Sequence, residues 1–112
     1  MPHPAEFLAG FGLTTRTQIS GYRLDQVTAT HVSIKRYQEY QYDITLKFTN
    51  LGSGVYENLY ANVLSIISKE HIIYGVRNPY RCIIDHPQHG DIIDENGSII
   101  FHLTGHSYRV KS

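Results

Sequence analysis

The sequence predicts an all-β domain, an antiparallel sandwich of about seven short strands. Residues 40–48 alternate without a break, with five apolar side chains on one face and polar side chains on the other. Successive side chains of a strand point to opposite faces, so this segment is predicted to be a strand with one buried side. Residues 49–54 follow as a turn-forming run. Turn signals recur about every 8–12 residues, which is the spacing typical of a sandwich.

The chain before this strand divides into an arm and a first long strand. Residues 1–16 contain two Pro and two Gly, which indicates a flexible N-terminal arm with a short helical turn at 4–9. The remainder, 17–112, is predicted to be a single sandwich domain. Its first long strand is predicted over 24–34, and the polar residues 35–38 connect it to the next strand. Four apolar side chains are available to pin the arm to the body: Phe7, Leu8, Phe11 and Leu13.

Residues 55–68 are compatible with two structures. Apolar residues follow helical spacing through this segment, which is typical of an amphipathic helix. Its Val, Tyr, Asn, Ser and Ile content is poor for a helix, and the face that a helix would expose has a single charge, Glu57. We therefore predict a strand here. The alternative is an α+β domain in which 55–68 forms a helix on an antiparallel sheet.

Further short strands are predicted over 71–75, 80–85, 92–93 and 98–103, separated by a Pro-containing break and by loops. The polar residues 104–112 are predicted to be a tail. The inward positions of these strands define the expected core. It consists of Tyr42, Ile44, Leu46, Phe48, Leu59, Val63, Ile84, Ile99 and Phe101.

Composition narrows the classes of function. The chain has 112 residues, a formal net charge of zero and one cysteine, Cys82. A zero balance argues against nucleic acid, since phosphate binding depends on Lys and Arg. No cationic run exceeds two residues, which argues against a membrane surface. No export signal is seen, which indicates a cytoplasmic protein, or an extracellular one if the chain is an excised module.

Two segments carry a family resemblance. Tyr42-Asp-Ile-Thr-Leu-Lys-Phe-Thr-Asn-Leu-Gly-Ser-Gly54, followed by 57–63, resembles two successive strands of immunoglobulin-like bacterial accessory domains. Gly90-Asp-Ile-Ile-Asp-Glu-Asn-Gly-Ser-Ile-Ile-Phe101 looks like a later segment of that family, which usually has Pro-Gly where this chain has Glu95-Asn96-Gly97. The resemblance implies an immunoglobulin-like sandwich and a non-catalytic role, and it brings no catalytic residues and no cofactor.

Two groups of residues are candidate sites. Zinc takes three or four N, O or S ligands, and the stretch 82–91 contains such side chains. The metal candidates are Asp85, His86, His89 and Asp91. A mixed cationic and aromatic group is a candidate interaction surface. It consists of Tyr74, Arg77, Tyr80 and Arg81.

The sequence thus favours a non-enzymatic binding or structural module that acts through loops or a sheet face. Its partner, a protein or a carbohydrate, is not identified, and edge strands offer a route to a homodimer because unpaired edges invite pairing. The alternative is a small α+β domain that binds a small molecule or acts as an enzyme. A metal site at 82–91 is a third interpretation.

Overall fold

In the computed structural model of the chain, residues 3–34, 39–73, 79–85, 87, 90–92 and 97–109 are described. They form two helices and seven strands. In chain order these are α1 (Pro4–Ala9), β1 (Gln18–Ile19), β2 (Tyr22–Ile34), β3 (Glu39–Asn50), α2 (Tyr56–Ile67), β4 (His71–Ile73), β5 (Tyr80–Ile84), β6 (Asp91–Ile92) and β7 (Ile99–Arg109).

Strand β3 confirms the alternation that the sequence showed. It pairs along its whole length with β2, and residues 40–48 also pair with β7. From Tyr42 to Phe48 every second side chain is buried, because a central strand with one covered face buries alternate residues. All nine residues of the predicted core are buried, at 2% exposure or less. Asn50 organises the following turn, since its Oδ1 accepts hydrogen bonds from the amides of Gly52 and Gly54, each at 2.9 Å.

The strands form one antiparallel sheet. Its order is β1-β2-β3-β7-β5-β4, and β6 pairs with the beginning of β7. Both helices cover the face on which β3 and β7 bury their side chains, so the described residues have one sheet and one helical layer around a shared core. The chain is therefore mostly antiparallel sheet, as predicted. The second sheet of a sandwich is not seen among the described residues.

The predicted strand at 55–68 is wrong, because Tyr56–Ile67 forms α2. The helix buries Leu59, Val63 and Ile67, which recur every four residues and pack into the core. Tertiary packing of this face outweighs weak helix propensity. None of the helices in the described part of the chain is long and apolar enough to cross a membrane.

Hydrogen bonds replace charge pairs on the outer face of α2. Asn62 Nδ2 donates to the carbonyl of Asn58 at 3.1 Å and also contacts the Ser20 hydroxyl. Ser68 Oγ donates to the carbonyl of Ser65 at 2.8 Å. Two tyrosines on the same helix hold the loop before β6. The Tyr60 hydroxyl donates to the carbonyl of Pro87, and the Gly90 amide donates to the Tyr56 hydroxyl, both at 2.8 Å.

The N-terminal segment contributes to the same core. Phe7, Leu8, Phe11 and Leu13, which were expected to pin it, are all buried. The Phe7 ring stacks on the Tyr42 ring with a centroid separation of 4.1 Å. His71 Nε2 lies 2.9 Å from the Phe7 carbonyl oxygen, and it must be the donor because a carbonyl only accepts. The flexibility of this segment stays a prediction.

Strand β7 is longer than predicted. Residues 104–109, expected to form a polar tail, continue the strand because two small inward residues fit beneath α1. Gly105 lies against the Phe7 ring, where a Cβ would come within 2.5 Å of Phe7 Cζ. The Ser107 hydroxyl is buried and hydrogen-bonded to the Tyr42 hydroxyl at 3.0 Å. Burial is the main cause that raises the pKa of Tyr42 to about 12.

Candidate functional site

Strand β2 has one edge that is mostly open. Strand β1 pairs only with its first two residues, Tyr22 and Arg23. The backbone of Leu24 is satisfied next, because its amide donates to the Thr17 carbonyl at 2.8 Å and its carbonyl accepts from the Arg16 amide at 3.0 Å. Beyond this point no strand in the described part of the chain pairs with the outer side of β2. Every second residue of an antiparallel strand turns its amide and carbonyl outward, so residues 26–34 present a row of backbone hydrogen-bonding groups.

A β-bulge separates the paired part of β2 from the open part. The register with β3 shifts between Leu24 and Gln26. Asp25, the extra residue, accepts a hydrogen bond from Arg23 Nε at 2.6 Å and another from the Thr49 hydroxyl. The hydrogen bond from Arg23 is the largest cause that lowers the pKa of the Asp25 carboxyl, and the hydrogen bond from Thr49 lowers it further. The two charged residues of β2 therefore neutralise each other at the paired end.

The open part of β2 lacks the features that usually protect a sheet edge. Natural edges carry Lys, Pro, bulges or inward charges that prevent another strand from adding. Residues 26–34 contain no Lys, Arg, Asp, Glu, Pro or Gly, and the bulge lies before them. Gln26, Thr28 and Thr30 are exposed on the outer face of the sheet. The other face carries the apolar side chains of Val27 and Ala29, which are only partly buried.

A groove runs beside this edge, between α1 and β2. Its volume is about 490 Å³, and most of its lining is apolar. Leu8 comes from α1, Leu13 from the segment after it, and Val27 and Ala29 from β2. An extended segment that paired with β2 would place every second side chain toward this groove. The open edge and the groove together form one candidate binding site, which we call the β2 edge site (the backbone of residues 26–34 with this groove).

The predicted metal candidates do not come together in the described residues. Asp85 is exposed and accepts a hydrogen bond from His106 Nε2 at 3.1 Å. Asp91 lies on β6, opposite Ile100. His86 and His89 lie outside the described residues. Within the part of the chain that is described, no group of three or more His, Cys, Asp and Glu side chains is placed to hold a metal ion.

Cys82 is not grouped with other metal ligands among the described residues. Its side chain is fully buried on the inner face of β5, and burial raises the pKa of the thiol to about 12. Cys82 is also a poor candidate for a nucleophile, because reactive cysteines are exposed and have a lowered pKa.

The predicted interaction surface is divided by the sheet. Tyr80 and Arg81 are neighbours on β5, so their side chains point to opposite faces. Tyr80 lies near Tyr40, with ring centroids 6.1 Å apart, and burial is the main cause that raises its pKa. Arg81 Nε lies 3.8 Å from a carboxylate oxygen of Glu70. Tyr74 and Arg77 lie outside the described residues. Tyr80 and Arg81 therefore lie on opposite faces of the sheet, and the interaction surface of the four residues stays a prediction.

The structure also links three titratable side chains that the sequence did not connect. His106, expected in a tail, lies on β7, and besides its hydrogen bond to Asp85 its Nδ1 lies 3.7 Å from Glu39 Oε1. That separation is too long for a hydrogen bond, so the second contact is an ion pair only when the imidazole is protonated. These contacts join the start of β3 and the end of β5 to β7, and we interpret them as structural.

Comparison with protein-family models, with curated proteins and with solved structures found no match. The interpretation of the β2 edge site therefore depends on its geometry and chemistry alone.

Proposed function

We propose that this protein is a non-catalytic binding module that takes up an extended polypeptide at the β2 edge site. The observation that carries the proposal is the uncharged edge of nine residues, 26–34, with an apolar groove beside it. Strand addition uses these two parts for different purposes. Backbone hydrogen bonds along the edge supply affinity, and pockets for alternate side chains supply specificity.

The chemistry of the site supports a polypeptide rather than a charged ligand. The groove has no Asp, Glu, Lys or Arg in its lining, and His3 is its single titratable side chain. An anionic or cationic ligand would find no opposite charge there. An unpaired strand edge, by contrast, is a template for another chain.

The test is peptide selection followed by amide exchange. We expect a library of displayed random peptides, selected against the protein at about 1 μM or below, to yield sequences that alternate apolar and polar residues. These peptides should bind with micromolar affinity. Binding should slow the exchange of alternate backbone amides within residues 26–34. N-methylation of single backbone amides of the peptide should abolish binding at every second position and leave binding unchanged at the positions between, because half of the peptide's amides face the edge.

Matched substitutions locate the peptide. Ala29→Lys places a charge in the groove and should weaken binding at least tenfold, since inward charges protect natural edges. Ala61→Lys, at an exposed position on α2, is the control and should leave binding unchanged. Peptides that bind Ala29→Lys as tightly as the unchanged protein, or that leave the amides of β2 exchanging freely, would contradict strand addition.

A second candidate function is the binding of a small apolar molecule in the same groove. The helix at 56–67 supports this function, because the α+β alternative, which binds a small molecule, requires a helix in this segment. The groove volume of about 490 Å³ also lies within the range of small-molecule sites. We expect an uncharged apolar fluorescent dye such as Nile red to bind once per chain in that case. Ala29→Lys should remove this binding, whereas the amides of β2 should exchange as fast with the dye as without it. Dye binding that Ala29→Lys leaves unchanged would exclude the groove.

A further inference from the structure

We infer that the polypeptide bound at the β2 edge site is the β2 strand of a second copy of this chain, in an antiparallel pair around a twofold axis. This inference rests on the proposed function and names its partner. It starts from the properties that a strand must have to fill this edge. The strand must be extended and uncharged, with an apolar side chain at every second position to face the groove.

Strand β2 is extended and carries no Asp, Glu, Lys or Arg over residues 26–34, and its first two inward positions after the bulge are apolar. Its inward side chains Val27 and Ala29 are apolar and partly buried, and its outward side chains Gln26, Thr28 and Thr30 are polar, uncharged and exposed. Like charges placed directly opposite each other destabilise a strand pair. Two copies of residues 26–34 meet without any such repulsion, because the formal charges of β2, Arg23 and Asp25, lie before the open part and pair with each other.

Symmetry fixes the register of the pair to a small set. A continuous antiparallel sheet requires a twofold axis perpendicular to the sheet, and such an axis keeps each side chain on the same face in both copies. Directly opposed residues therefore have numbers that differ by an even count, and one residue of β2 lies opposite its own counterpart. When that residue is Thr28, Val27 of each copy lies opposite Ala29 of the other, so this register brings apolar side chains to both grooves. Both copies of α1 then lie on the same side of the joined sheet, so each groove faces the inward side chains of the other copy's β2.

The size of the contact indicates a weak dimer. Around Thr28 the two open edges overlap over residues 26–30, about 17 Å of strand, and pairing over this length buries less than the about 800 Å² per partner of a standard interface. We therefore expect a dimer that dissociates on dilution, with a dissociation constant on the order of 1–100 μM.

The test combines sedimentation equilibrium with two lysine variants. We expect the unchanged protein to pass from monomer to dimer between about 1 and 300 μM. Thr28→Lys should weaken the dimer at least tenfold, because it places two positive charges close together across the axis. Thr104→Lys, on the outer face of the central strand β7, is the matched control and should dimerise normally. A monomer at every concentration, or a dimer that Thr28→Lys leaves intact, would overturn the inference.

Cysteine cross-linking supplies an independent measurement that needs no lysine variant. Gln26→Cys, Thr28→Cys and Thr30→Cys should be oxidised singly and as pairwise mixtures, with Thr104→Cys as the control. A disulfide requires Cα atoms about 4.4–6.8 Å apart, and opposed residues of an antiparallel pair are about 4.5–5.5 Å apart. We expect cross-linking only in those variants and mixtures whose cysteines lie opposite each other in one register. Cys82, which is buried, should stay reduced. Cross-linking that fits no single register, or that is absent, would overturn the inference.

The two proposals fail in different ways. If the unchanged protein stays monomeric but selected peptides protect alternate amides of β2, the site takes up a strand from another protein, and the second copy is excluded. If neither the dimer nor peptide protection is found, the proposed function fails as well.

Discussion

Replacing Phe7 by alanine is expected to lower the free energy of unfolding by about 3–5 kcal/mol, as for other buried aromatic residues. Phe7 lies in the N-terminal segment, yet its side chain is fully buried. Its ring stacks on Tyr42 at 4.1 Å and lies 5.4 Å from the Phe11 ring, centroid to centroid. The opposite strand has a glycine at this point, Gly105, where any larger side chain would collide with the Phe7 ring. Removal of the ring would leave a cavity that these neighbours cannot fill.

Chemical denaturation followed by circular dichroism measures the loss. Glu6→Gln is the matched control, because Glu6 is exposed on the same helix and surface substitutions usually change stability by less than about 0.5 kcal/mol. A typical domain of this size has about 5–15 kcal/mol of stability in total, so the expected loss is large. If Phe7→Ala behaves like Glu6→Gln, residues 3–13 are a loosely held arm rather than part of the core.

The sequence predicts structure well where one periodicity dominates. Residues 40–48 alternate over nine positions, and no other periodicity fits them. Their burial was therefore predictable residue by residue. The sequence also predicts Leu59 and Val63 in the core, and they are buried there, but in a helix rather than in the predicted strand. Residues four apart share a face in a strand and in a helix alike, so their burial does not distinguish the two structures.

Sequence prediction failed where the deciding contact is distant in the chain. The outer face of α2 lacks charge pairs, and in the sequence this absence argues against a helix. Its Asn62 amide instead contacts Ser20, which lies in the turn between β1 and β2. In the same way, Gly105 and Ser107 are typical of a polar tail in the sequence alone. In the structure Gly105 lies against the Phe7 ring, and the Ser107 hydroxyl is hydrogen-bonded to the Tyr42 hydroxyl. Single-sequence periodicity contains no information about such partners.

The β2 edge site illustrates the same limit for function. The absence of charge and proline from residues 26–34 is visible in the sequence, and so is the possibility of pairing through an edge. Which strand forms the edge depends on strand order, and that order places β2 on one side of β3 and β7 on the other, so that β2 lies next to the short strand β1. A strand with these residues would be unremarkable in the middle of a sheet. We propose a binding site here because its outer neighbour, β1, ends after two residues.

Replacing Leu46 by alanine is expected to lower the free energy of unfolding by about 2–5 kcal/mol, the range observed for buried leucines. Leu46 is fully buried at the middle of β3. It lies opposite Val27 on β2 and opposite Phe101 on β7, and it belongs to the core cluster that also contains buried side chains of both helices. A cavity here would be enclosed on all sides, and the cost of truncation rises with the volume that cannot collapse.

The matched control is Leu51→Ala, because Leu51 follows the same strand but is 46% exposed. Its truncation should cost less than about 0.5 kcal/mol. The comparison tests the register of the sheet directly, since a slip of one residue would turn Leu46 to the solvent face and bury Thr45 or Lys47 in its place. A loss for Leu46→Ala no larger than that for Leu51→Ala would contradict this register. It would also remove the basis for placing Val27 and Ala29 beside the groove, because their orientation follows from the pairing of β2 with β3.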